Sequence, residues 1–245
     1  MATIRRIWED EEIEPTQRLW RYFKVNRFLQ ALRTSCLYFP SACEFSDPFE
    51  GATAVLRHDW PVDPRFAEPE QLERAFAALR PLTKITCWHR ADYESDAMWR
   101  SYAAEHKGLA VCTTVDRLHR ALKPYRIQPQ HGEEAPFAGS VRYVDLHAER
   151  LRVGMERRFF YKHRPFEWER EYRLIISVRD AQEWGVDVPE KGILVGFDRP
   201  TLIERVWLGP KMNPKDRERV TKACIAAGLG DRISTSSLLG QPRYS

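Results

Sequence analysis

The chain has 245 residues, 43% of them hydrophobic, with 39 Lys and Arg against 35 Asp and Glu. That length supplies one large domain or two small ones, with enough apolar residues for a core. A surplus of four positive charges gives a mixed surface and excludes the continuous basic stripe of a nonspecific nucleic-acid binder.

Residues 1–17 read as an N-terminal extension. The opening MATIRRIWEDEEIEP has no apolar export segment, and nowhere do about 18 uncharged apolar residues run together, so neither export nor a membrane span is expected. RLWRYF (18–23) alternates as a strand, NRFLQALRTS (26–35) spaces Phe28, Leu29 and Leu32 for a short helix, and CLYF (36–39) is a second strand. From Pro40 to Pro69 prolines, acids and aromatics follow no period, which predicts a long irregular loop. PEQLERAFAALR (69–80) resumes as a helix, TKITCWH (83–89) as a strand, and ESDAMWRSYAAEHKG (94–108) as a helix begun at Ser95 or Asp96 and stopped at Gly108. GLAVCTT (108–114) is a buried strand, VDRLHRALKP (115–124) a helix, and residues 125–138 a loop.

SVRYVDL (140–146) reads as a strand, and 147–163 as a helix with Leu151, Met155 and Phe159 four apart on one face. EYRLIISV, GILVGF and ERVWLG are strands, NPKDRERVTKACIAAG is a helix capped by Asn213, and RISTSS is a last short strand. Strands and helices do not alternate regularly, no repeat appears and no low-complexity linker divides the chain. The expected fold is therefore a single α+β domain with a mixed, mainly antiparallel sheet and flanking helices.

The cysteines Cys36, Cys43, Cys87, Cys112 and Cys224 make no CxxC pair, which points to free thiols in a reduced, cytoplasmic compartment. No histidine stands at zinc-ligand spacing from another His or Cys, so no metal site is expected. The glycine-rich phosphate loops of dinucleotide and triphosphate sites and the GxSxG turn of hydrolases do not occur.

FEWEREYRLIISV (166–178) is the unusual stretch. In an extended chain Glu167, Glu169 and Glu171 share one side and Trp168, Arg170 and Tyr172 the other. Clustered carboxylates raise one another's pKa and need a cation, a ligand or water to compensate. One account is a solvated strand edge protected by charge. The other is a pair of acids bordering a cleft, able to steady positive charge at a sugar carbon during glycosyl transfer. Elsewhere, Trp99 and Tyr102 fit either a helix core or a ligand platform, Asp47 either a turn starter or a ligand contact, and Lys162 with His163 either phosphate contacts or a basic helix end.

RLWRYF, LYFPSACEFSDPFEG, ITCWH, ESDAMWRSYAAEHKGLAV and KHRPFEWEREYRLI resemble, in this order, the signature blocks of a bacterial family catalogued as a domain of unknown function, number 2971. An Arg on an early strand, central aromatics and a late E-x-E are, in turn, similar to the ADP-ribosyltransferase superfamily, which cleaves the nicotinamide–ribose bond of NAD. That resemblance implies an ADP-ribosyltransferase-like fold with NAD as substrate, Glu171 as the catalytic acid and Glu169 as the acid that orients an acceptor, whether protein or nucleic acid. It also implies Arg21 on the NAD phosphates, Tyr22, Trp99 or Tyr102 stacked on nicotinamide or adenine, and Ser41 in place of the Ser-Thr-Ser that the second strand of this chain lacks. Bacterial conflict or phage defence is the setting it suggests. Two other classes stay open: a nuclease holding Mg²⁺ on Asp47 and Glu169 or Glu171, and a non-catalytic nucleotide-sensing module.

Overall fold

The computed structural model describes residues 1–55 and 74–244; the second half of the predicted loop and the start of the helix predicted at 69–80 lie outside the described residues. In chain order the elements are β1 (Arg5–Arg6), β2 (Arg18–Phe23), α1 (Val25–Thr34), β3 (Cys36–Phe39), α2 (Leu79–Leu82), β4 (Thr83–Arg90), α3 (Asp96–Tyr102), β5 (Leu109–Thr114), α4 (Val115–Ala121) and β6 (Phe137–Ser140). They continue with β7 (Arg142–Val144), β8 (Tyr161–His163), β9 (Glu171–Ser177), α5 (Arg179–Glu183), β10 (Ile193–Gly196), α6 (Arg199–Leu202), β11 (Arg205–Leu208), α7 (Pro214–Ala226) and β12 (Ile233–Thr235).

Eight strands form one sheet in the order β1-β6-β9-β4-β2-β5-β11-β12. The outermost pairs, β1–β6 and β11–β12, are parallel and the inner ones antiparallel. This is the mixed, mainly antiparallel sheet that the sequence predicts. Two ribbons stand apart from it, β3 paired antiparallel with β10 and β7 paired parallel with β8.

Side chains alternate across a strand, so the two faces of the sheet can be told apart by register. Leu19, Trp88, Tyr172, Leu174 and Ile176 line one face and join residues of α1, α4, α6 and α7 in the largest buried cluster. The other face carries two smaller clusters. Trp20, Tyr22 and Cys112 pack there with Met98 and Trp99 of α3, and farther along Ile85 and Ile175 pack with Ile7, Trp8, Phe159 and Phe160. Between those two clusters, on the same face, lie His89 opposite Glu171 and Cys87 opposite Arg173. A polar seam therefore runs between two apolar patches.

The helices begin where their caps are. Ser95, Thr114 and Asn213 each accept a backbone N–H of the first turn, from Met98, Arg117 and Asp216. The predicted 94–108 helix stops at Tyr102, because Ala104, Glu105 and His106 all take left-handed backbone angles. His106 is held there by Asp96, 2.8 Å from its Nε2, and by its own N–H on the Trp99 carbonyl. Gly108 closes the loop where a Cβ would lie 2.1 Å from the Phe23 carbonyl oxygen, so the chain passes β2 only as glycine.

Two expectations are overturned. The 147–163 helix does not form: Arg157–Phe160 is a 3₁₀ turn and β8 follows. The cause is tertiary, since Leu151 N–H bonds the Thr53 carbonyl and Val55 N–H the Leu146 carbonyl, replacing the bonds a helix would make. Nor is 166–171 extended. Arg164–Glu169 is a 3₁₀ helix closed by Arg170 in the left-handed region, and the strand starts at Glu171. The segment predicted as a strand at 140–146 is split into the end of β6 and β7. Within 1–17, Arg5 and Arg6 pair with β6, and Ile7 and Trp8 are buried.

Candidate functional site

Glu171 opens β9 and its backbone N–H donates to the Tyr143 hydroxyl at 2.8 Å. One turn earlier the 3₁₀ helix delivers Glu169, whose carbonyl is met by His89 Nδ1 at 2.6 Å. A carbonyl only accepts, so Nδ1 carries a proton, and burial lowers the pKa of the ring, which favours its neutral form. The left-handed Arg170 between the two acids, which costs about 1–2 kcal/mol for a residue with a Cβ, is secured by Arg90 N–H on its carbonyl.

The ribbon β7–β8 brings Lys162 between the two carboxylates. Its ammonium donates to Glu169 Oε2 and, at 2.8 Å, to Glu171 Oε1, while lying 4.7 Å from the centre of the Phe166 ring. Arg173, two residues along β9, points the same way as Glu171 and spends every N–H it has. Nε bonds Glu171 Oε2 at 2.7 Å, Nη1 bonds Glu50 Oε1 at 2.5 Å and the Phe159 carbonyl at 2.6 Å, and Nη2 bonds Glu50 Oε2 at 3.0 Å and Glu171 Oε1 at 3.2 Å. Glu50, Lys162, Glu169, Glu171 and Arg173 are all buried.

Three acids and two cations cannot all be charged without leaving one negative charge unmatched in the interior, and the environments decide which acid yields. Burial would raise Glu171, but Arg173 and Lys162 outweigh it and hold its pKa well below the usual carboxylate range. Glu169 is raised to about 7, first by burial and then by its hydrogen bond to and the charge of Glu171. Glu50 is also raised by burial, against the pull of Arg173. Lys162 goes up because the two glutamates overcome its burial, so it stays an ammonium. The half-exposed Tyr102 donates to Glu169 Oε1 at 2.5 Å, and burial beside that carboxyl pushes its phenol up, which keeps it a donor. Glu169 is thus the member of the pair that gains and loses a proton near neutrality, with its Oε1 against the half-exposed Tyr102.

Tyr22 extends the same face. Its ring meets Trp99 edge-on at 5.1 Å and His89 at 6.4 Å, and its hydroxyl accepts Ser95 N–H at 3.0 Å. Trp99 is fully buried, with its indole N–H on Glu94 at 2.9 Å, so it is a core residue supporting Tyr22. Of the residues singled out in the sequence, Tyr22, Trp99, Tyr102, Lys162, Glu169 and Glu171 are brought to one face of the sheet.

Arg21, Ser41 and Asp47 are not brought to the acid pair. Arg21 follows Trp20, the partner of His89, and so points to the opposite face from Glu171. There its guanidinium bonds Thr86 at 2.7 Å and the Tyr38 carbonyl at 3.0 Å and lies over Phe23 and Trp88, and burial lowers its pKa to about 10. Ser41 belongs to a separate centre at the far end of β4, where it accepts from Lys84 at 2.7 Å. Asp47 starts a turn, Oδ1 taking Phe49 N–H at 2.9 Å, while its buried Oδ2 has no partner among the described residues. That turn carries Glu50, which contacts Arg173, into the network. Glu167 and Trp168 are exposed. His163 sits outside the network, 5.1 Å from His147 and 5.9 Å from Phe49 ring to ring.

Sequence reading missed Glu50, His89 and Tyr143, which hold the pair in place. The signal for Glu50 was the DPFE turn; the other two only register reveals. For a divalent cation the glutamates would have to be free, and here Lys162 and Arg173 already supply their positive charge. Among the described residues no group of three or more His, Cys, Asp or Glu is arranged to hold a metal, and no helix is long and apolar enough to cross a membrane.

No family model matches the chain, including any for the family that its sequence blocks resemble, and no curated protein matches it. Among solved structures it is similar to DarT of Thermus sp. 2.9 in complex with carba-NAD+, at 13% sequence identity, over 91% of this chain and 96% of that one, with a TM-score of 0.31.

Proposed function

We propose that the chain is an NAD-directed glycosyl transferase of the ADP-ribosyltransferase type, with Glu169 as its acid–base group. The observation that carries this reading is the buried Glu169–Glu171 pair, two carboxyls whose surroundings drive their pKa values apart. A carboxyl near 7 is matched to proton transfer at physiological pH, and one held ionised supplies fixed negative charge beside it.

In the reaction the bond between nicotinamide and ribose breaks, and neutral nicotinamide leaves with the bonding pair. An acceptor lone pair forms the new bond at the same carbon, and the acceptor's proton passes to the Glu169 carboxylate. Glu171 acts through charge, steadying the cationic sugar and fixing Lys162. The half-exposed Tyr102 is the aromatic surface offered to a flat ring, with the buried Tyr22 behind it on the same face. Arg21 and Ser41 leave the proposed NAD contacts because the first lies across the sheet and the second at the other end of β4.

The test is release of nicotinamide from NAD. Wild-type protein releases it, at a rate rising with pH through about 7 as Glu169 ionises, and Glu169→Gln lowers the rate at least ~10²-fold with the fold retained. An unaltered rate in that variant removes Glu169 from the chemistry. A second reading, a non-catalytic nucleotide-binding module, is favoured by one observation: both Glu171 oxygens are already taken by Lys162 and Arg173. Saturable NAD binding without nicotinamide release selects it.

A further inference from the structure

On the reverse face of the sheet from the acid pair, a cavity of about 240 Å³ opens between the N-terminal arm, α4 and the ends of β6 and β9. The arm is pressed against β6 at Gly139, where a Cβ would lie 2.5 Å from Ile7 Cγ2 and 3.1 Å from Glu11 Oε2. The hollow is therefore part of the fold and not a loose edge.

Its charges are unequally matched. Glu11 accepts Ser140 N–H at 3.1 Å and lies 3.9 Å from Arg90, and Asp116 is paired with Arg120 at 2.7 Å. The Arg6 side chain, at the rim, has no hydrogen-bond or ion-pair partner among the described residues. At the floor, the Tyr172 hydroxyl and His119 Nε2 are 2.7 Å apart, with the rings stacked at 6.0 Å. Burial lowers the His119 pKa and raises that of Tyr172, so both are neutral. Whichever of the two donates, the pair has one further N–H or O–H left to give. Ile4, Ile13 and Val115 make the walls apolar.

We infer that this cavity is a binding site for a small single-ring organic anion. The carboxylate or phosphate lies on Arg6, the ring between Ile4, Ile13 and Val115, and a polar ring atom or substituent at the Tyr172–His119 pair. The size decides the class: 240 Å³ falls below the roughly 300–1,000 Å³ of sites for drug-sized ligands, which leaves room for one ring and excludes a dinucleotide. The site is thus independent of the NAD reaction proposed above and of its outcome.

The experiment titrates the full chain with 4-hydroxybenzoate, phenyl phosphate and inorganic phosphate by calorimetry. A ring anion binds the wild type, Arg6→Gln weakens it at least ~10-fold with an unchanged melting temperature, and Ile13→Trp, which fills the cavity, abolishes it. Preference for the carboxylate or for the phosphate ester, either of which supports the site, identifies the anion. The inference is overturned if neither ring anion binds at millimolar concentration, if Arg6→Gln binds as the wild type does, or if inorganic phosphate alone binds as well as the ester.

Discussion

Lys162 and Lys84 are both buried lysines on the same side-chain stem, yet their pKa values move in opposite directions. Lys162 lies against two carboxylates, and Glu171 and Glu169 overcome its burial to raise it. Lys84 has no carboxylate in hydrogen-bond contact among the described residues. Its ammonium is caged by Ser41 Oγ at 2.7 Å and by the carbonyls of Pro81 at 2.5 Å, Pro189 at 2.6 Å and Lys191 at 2.7 Å, and burial lowers its pKa to about 8. Carbonyl dipoles satisfy the donors without cancelling the charge. The comparison separates two jobs that burial alone would not distinguish: Lys84 pins the 189–191 loop to β4, and Lys162 sets which glutamate titrates.

The largest expected effect comes from Arg173, which joins Glu50 to Glu171. Arg173→Met leaves Glu50 unpaired in the interior and Glu171 with Lys162 alone, and costs about 3–5 kcal/mol in urea unfolding. A loss below about 1 kcal/mol would mean that water reaches the seam. Lys162→Met follows at about 3 kcal/mol, and adding Glu169→Gln recovers part of it because the remaining carboxylate is still held by Arg173. Strict additivity of the two changes would break the claim that Lys162 and Glu169 act as one unit. Lys84→Met costs less, about 1–3 kcal/mol, since it strands carbonyls and not charges. Ser41→Ala, removing one oxygen of the cage, costs about 1 kcal/mol.

The pH dependence sharpens the same contrast. Glu169 is raised, so its contribution to stability is fully present below about 4.5 and is lost as pH rises through about 7. Lys84 is lowered, so the unfolded chain holds the extra proton between about 8 and 10.5 and stability gains a rising term across that window. Melting temperatures taken against pH check both: Glu169→Gln flattens the first slope only, and Lys84→Met the second only. Swapped or unchanged slopes would show that other groups control these windows. Glu171→Gln is a poor first probe of catalysis, because the change also weakens the bonds to Lys162 and Arg173; Glu169→Gln can keep both its partners, the amide oxygen facing Lys162 and the amide N–H₂ facing the Tyr102 oxygen.

Much of the local structure could be read from the chain. RLWRYF and GLAVCTT are strands, and the caps at Ser95 and Asn213 start their helices. The failures have one cause. In 147–163 and 164–169, hydrogen bonds to distant backbone and to the acid network outweigh a periodicity that taken alone favours a helix and a strand.

The pattern of apolar residues and caps by itself determined most of the elements, because those depend on neighbours a few positions apart. Only the tertiary structure decided that Arg21 and Glu171 face opposite sides, that Glu50 travels from a loop to meet Arg173, and that Glu169 rather than Glu171 titrates near neutrality. Each of these depends on strand register and on which charges meet in a low-dielectric interior, and neither is encoded in spacing along the chain.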